Sequence, residues 1–345
     1  MATPKTTIPL TGYQKIVIAL LAAVQFTIVL DFMVMAPLGD LLMKSMHMHT
    51  NQFATAVSAY AFSAGFSGLL AAGFADKYDR KKLLIFFYSG FIIGTFLCGI
   101  ATTYPLLLVG RIVTGLFGGV LGSVSMAIIT DLFSFEQRGR VMGFVQMAFA
   151  VSQVAGIPVG LYLANAWGWE APFLMIVGIS IITVVVLAKY LKPVAKHMEM
   201  KANVNPVMHL KKTISNNAYL LPYITTAMLS IGGFMMMPFS TPFVINNLEI
   251  SQRDLPLIYV ITGIASMIIM PLIGRLSDKV GKFPMFVAGS VVAIVMIIVY
   301  THLPPVPLWK LVIVNVFMFS GIMSRMIPSQ ALMTAIPNME DRGAF

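Results

Sequence analysis

Ten apolar blocks, each long enough to cross a bilayer, leave this chain few folds to choose from. About 20 apolar residues cross a hydrocarbon core. On that ruler the spans fall at 14–43, 53–75, 83–101, 105–132, 139–165, 171–191, 218–247, 255–276, 283–303 and 308–336. The expected fold class is therefore an all-α integral membrane protein, with the lipid bilayer as its obligatory partner. Charged residues make up 10% of the chain and hydrophobic ones 58%, whereas about a quarter of a soluble domain is charged. Such a chain cannot cover itself with polar surface. Its net charge of +10 does not point to nucleic acid, because the charges lie between apolar blocks rather than on one face of a soluble fold.

The placement of those charges predicts orientation. Of the 23 lysines and arginines, Lys44, Arg253 and Lys310 fall on one side and Arg111 and Arg325 within spans, which leaves 18 on the other side. The positive-inside rule makes that richer side cytoplasmic, with the N-terminus inside and the chain a multi-pass protein of the cytoplasmic membrane. The first apolar block lacks a small-residue cleavage site and reads as a retained span. Residues 192–217 form the only polar stretch long enough to be a domain linker. It divides an N-terminal half, 1–191, from a C-terminal part, 218–345, six spans against four. His47, His49, His197 and His209 read as solvated loop residues, because no organised Cys or carboxylate partners accompany them. The single cysteine, Cys98, lies within a span. With no phosphate-binding loop and no nucleophile paired to a base, neither an enzyme nor an ATP-driven pump is expected, and no cofactor or metal.

The chain also looks like one helical unit written twice. Between the second and third spans runs Ala72-Gly73-Phe74-Ala75-Asp76-Lys77-Tyr78-Asp79-Arg80-Lys81-Lys82, and a near-copy follows at Gly274-Arg275-Leu276-Ser277-Asp278-Lys279-Val280-Gly281-Lys282. Glu136-Gln137-Arg138-Gly139 returns as Glu340-Asp341-Arg342-Gly343. Asp278 follows Asp76 by 202 residues and Arg342 follows Arg138 by 204. This arrangement resembles the major facilitator superfamily of secondary transporters, two pseudo-symmetric halves of six helices. The family turn reads Gly-x-Leu-Ala/Ser-Asp-Arg/Lys-x-Gly-Arg/Lys. The second copy fits it, whereas the first has Ala72, Phe74 and Asp79 in place of Gly, Leu and Gly.

The resemblance implies that these turns latch the outward-facing state, through Asp76, Arg80, Arg138, Gly274 and Asp278, with Asp131 as the acidic partner of the turn's arginine. Span 5 carries Gly143, Ser152, Gly156, Pro158 and Gly160, similar to the helix-shaping signature of antiporters. Trp167-Gly168-Trp169-Glu170-Ala171-Pro172-Phe173 resembles the Trp-Arg-x-x-Phe loop of drug exporters, with Glu170 where Arg is usual. The family has two further helices beyond the tenth, so a chain ending at Phe345 is expected to be truncated.

Asp31 is the most informative residue. An ionisable group this deep in an apolar span costs several kcal/mol and marks a functional site by default. Arg111, entering span 4 from the other end, reaches a comparable depth. Together with Gly115 it resembles the family's Arg-x-x-x-Gly, a site assigned there to proton transfer. Asp31 and Arg111 are therefore the proton-coupling candidates, with a fixed ion pair as the structural alternative. Arg325, beside Asn315 and Pro328 in span 10, is a candidate for substrate contact. Tyr60, Phe66, Gln146 and Gln153 are further candidates for the cavity wall. Gly115, Gly118, Gly119 and Gly122 form a stripe that favours close helix packing.

These readings converge on a proton-coupled exporter of small amphiphilic molecules working by alternating access, expected to act as a monomer. Two alternatives stay open: a proton symporter for a sugar or an organic anion, and a nontransporting truncated fragment.

Overall fold

The computed structural model describes residues 10–74, 78–195 and 216–333. Thirteen α-helices occupy most of them, with no strand among the described residues. Ten helical stretches there are long and apolar enough to cross a membrane. The chain forms two compact units, residues 1–203 and 204–345.

In the first unit α1, Gly12–Val34, opens with a reciprocal cap: Thr11 Oγ1 accepts from the Gln14 amide at 3.2 Å and Gln14 Oε1 from the Thr11 amide at 3.0 Å. The block predicted at 14–43 is not one helix. Pro37 cannot donate a helical hydrogen bond, and the chain turns through residues 35–38 before α2, Gly39–Ser45. Then follow α3, Thr50–Phe74, and α4, Arg80–Gly99. Next come α5, Tyr104–Leu132, and α6, Phe135–Val151, whose first turn is closed by a Ser134/Gln137 capping box. The predicted span 139–165 is likewise interrupted. Pro158 removes one rung of the ladder, and a π-helical turn, Ser152–Gly156, absorbs the mismatch before α7, Ile157–Trp167. Gly168, at φ 101°, then reverses the chain into α8, Ala171–Tyr190.

The second unit contains α9, Asn217–Met236, and α10, Ser240–Asn246, separated by a tight turn at Met237–Phe239 that contains Pro238. The predicted block 218–247 is therefore also bent. Beyond it lie α11, Leu255–Val280, α12, Lys282–Thr301, and α13, Leu308–Met333. Both units rely on close backbone approach. A Cβ on Gly94 of α4 would lie 2.5 Å from the Thr114 amide nitrogen of α5, and one on Gly289 of α12 would lie 2.6 Å from the Ser324 carbonyl carbon of α13. Of the glycine stripe on α5, Gly119 abuts the Ala64 backbone, Gly115 abuts Tyr60 and Ser63 of α3, and Gly122 faces open space.

Candidate transport site

Depth arithmetic along two helices brings one acid and one base together. Asp31 of α1 and Arg111 of α5 are both fully buried, and Arg111 Nη1 donates to Asp31 Oδ2 at 2.8 Å. The other carboxylate oxygen, Oδ1, accepts from the Thr95 hydroxyl of α4 at 3.1 Å. Tyr60 of α3 lies over the guanidinium, 4.5 Å from ring centroid to Cζ. Its ring also packs against Phe32 at 5.4 Å. Three helices thus converge on Asp31, and a buried charge survives because a hydrogen-bonded countercharge offsets its desolvation. Arg111 Nε and Nη2 are buried without hydrogen-bond partners, and the Tyr60 ring over the guanidinium adds a cation–π contact.

The elements around the pair press α1 into place. Ser152 in the π-turn donates to the Phe26 carbonyl at 3.1 Å. A Cβ on Gly156 would lie 2.8 Å from Leu30, and one on Gly160 would lie 3.3 Å from Val34. Gly156 and Gly160 with buried Pro158 therefore seat the helix against the two residues flanking Asp31 by one and three positions. Gly143 is exposed, away from this contact. One turn before Asp31, Thr27 shares a 2.8 Å hydrogen bond with Tyr88.

The other expected residues, with one exception, do not gather at the pair. Tyr60, expected on the cavity wall, is 6% exposed and is the one of these that lies at the pair, over Arg111. Phe66 and Gln146 are exposed and Gln153 is half-buried. In the second unit Asn315 is buried, while Arg325 is half-buried with its Nε lacking a hydrogen-bond partner.

Of the turn residues, Asp76 lies outside the described residues, as does the side chain of Asp278, and Gly274 is half-buried with nothing within 4 Å of an added Cβ. Arg80 Nε stands 3.5 Å from Asp131 Oδ2. Arg138 donates to the carbonyls of Thr130 at 2.6 Å and Phe133 at 3.1 Å, so it closes the end of α5. Asp79, a departure from the family turn, caps α4: its Oδ1 accepts from the Lys81 amide at 2.7 Å and from the Val194 amide at 3.3 Å. Nothing in the sequence marked Asp79 as the root of the segment leaving α8, because Val194 is 115 residues away.

A sequence profile of the Major Facilitator Superfamily matches residues 21–345. This chain belongs to the major facilitator superfamily. Among curated members of the superfamily it is 26% identical over 269 residues to the "Uncharacterized MFS-type transporter YceJ" of Bacillus subtilis, which covers 77% of this chain and 68% of that protein. It is 30% identical over 151 residues to "Multidrug resistance protein 3" of the same organism, covering 44% of this chain and only 30% of that one. The chain thus spans two thirds or less of the length of most such relatives. Among solved structures, that of a D-xylose-proton symporter shares the fold, with a TM-score of 0.73 at 18% identity over 96% of this chain and 85% of the symporter. The superfamily and its fold are those of transporters, which act on small molecules across a lipid bilayer.

Proposed function

We propose that this protein is a proton-coupled secondary transporter that exports small amphiphilic molecules across the cytoplasmic membrane, with its N-terminus on the cytoplasmic side. The observation that carries the reading is the fully buried Asp31–Arg111 pair, joined at 2.8 Å within helices long and apolar enough to cross a membrane. An ion pair in lipid-excluded protein is costly to keep and marks a pathway for protons or ions. In the proposed cycle, a proton from outside neutralises Asp31 and weakens its bond to Arg111, and the rearranged helices displace the substrate. The opposite state returns the proton to the inner side. The likeness to Multidrug resistance protein 3 supports an amphiphilic substrate. The conformational latch expected of the two charged turns belongs to the same proposal, as does action as a monomer.

The test uses proteoliposomes loaded with purified protein and ethidium as the probe. An imposed proton gradient drives ethidium movement in wild type, and Asp31→Asn abolishes it; gradient-driven movement that persists in the variant would contradict the reading. A second reading, symport of an organic anion, draws on Arg325, whose buried Nε has no hydrogen-bond partner.

A further inference from the structure

Helical threonines in apolar surroundings have one hydroxyl proton, and the default acceptor is a carbonyl one turn back in their own helix. Several helical hydroxyls of the first unit follow that habit. Ser63 donates to the Ala59 carbonyl at 2.6 Å, Thr114 to Gly110 at 2.7 Å, Thr130 to Ala127 at 2.8 Å and Thr183 to Ile179 at 2.8 Å. Thr95 breaks the habit. Fully buried on α4, it directs its proton across to Asp31 Oδ1 of α1 at 3.1 Å.

The two carboxylate oxygens are therefore not equivalent. Oδ2 is held by the Arg111 guanidinium, whose proton is permanent, whereas Oδ1 is held by a hydroxyl that can rotate. A proton arriving at Asp31 finds Oδ1 the easier oxygen to occupy. The new O–H then donates to Thr95 Oγ1, and the Thr95 hydroxyl turns its own proton to the Phe91 carbonyl, four residues back in α4. No covalent bond besides the O–H on Asp31 is made, and both hydroxyl protons keep an acceptor in each state. When Asp31 loses its proton, Thr95 rotates back.

We propose that Thr95 is a positioning residue that selects Oδ1 of Asp31 as the oxygen that takes up the proton and sets how tightly that proton is held. The proposal rests on the reading of Asp31 as the coupling carboxyl. The titratable groups facing that carboxyl are Arg111 of α5, Cys98 of α4 and Tyr60 of α3. None of these makes the same exchange: Arg111 already holds Oδ2, Tyr60 faces the guanidinium, and the Cys98 thiol is paired with Thr114.

The test is a pH titration of protein labelled with [4-13C]aspartate in detergent micelles, with Asp31→Asn used to identify the Asp31 carboxyl resonance. Thr95→Val keeps the shape and removes the hydroxyl; Thr95→Ser keeps the hydroxyl. The midpoint in Thr95→Val is expected to lie about one pH unit, a tenfold change in proton affinity, from that of wild type, and the Thr95→Ser midpoint to coincide with wild type. Coincidence of Thr95→Val with wild type overturns this inference alone, as does an equal displacement in both variants, which would assign Thr95 to packing. A wild-type resonance that never titrates overturns the reading of Asp31 itself, and this inference with it.

Discussion

The two units place an arginine within a span in opposite ways. In the first, Arg111 is fully buried, bonded to Asp31 and covered by Tyr60. In the second, Arg325 is half-buried and its Nε has no hydrogen-bond partner. Helix packing does not explain the difference, because both units bring backbones to van der Waals contact at glycines, α4 against α5 and α12 against α13. What differs is the countercharge. A guanidinium neutralised inside its own unit has its charge matched by the fold, and changing that match changes stability and coupling together. One that is half-buried, with a buried Nε lacking a hydrogen-bond partner, has no such match inside its unit among the described residues.

The contrast is broken most forcefully at Arg111. Arg111→Leu leaves the Asp31 carboxylate buried without its countercharge and is expected to cost about 3–5 kcal/mol, seen as a collapse in monodisperse yield and in the thermal unfolding midpoint. Combining it with Asp31→Asn should recover most of that loss, since it removes the stranded charge. Next in size are the glycine contacts. Gly94→Leu and Gly289→Leu each force a side chain into a neighbouring helix, at about 1–3 kcal/mol or more. Similar losses in the two units would show that close packing is shared while charge matching is not.

A smaller effect is expected at the end of the first unit. Asp79→Ala removes the cap of α4 and the anchor of Val194, for about 1 kcal/mol, and should speed proteolysis at the linker lysines that follow. Arg325→Leu sets the lower bound. Stability should stay within about 0.5 kcal/mol of wild type, while uptake of an organic anion would fall if the symport reading holds.

Ten spans and the meeting of Asp31 with Arg111 were legible in the sequence, because hydropathy and a rise of about 1.5 Å per residue fix depth without knowledge of packing. The interruptions at residues 35–38, 152–156 and 237–239 were not. Each lies near a proline, yet Pro222, Pro271 and Pro328 sit inside continuous helices, so proline alone does not say where a helix breaks. That Tyr60 covers Arg111 was not legible, because helical phase cannot distinguish a cavity wall from the cover of a buried cation. Thr95 went unnoticed for a related reason: one threonine in an apolar helix looks like any other until the helix facing it is known.

The central claim is that Asp31 carries the proton exchanged for substrate. Its most direct test is proton release from purified protein in weakly buffered detergent solution on adding ethidium, comparing wild type with Asp31→Asn. The account predicts release from wild type and none from the variant, with ethidium bound by both. Binding without release in wild type, or equal release from Asp31→Asn, would contradict it and move the coupling away from this pair.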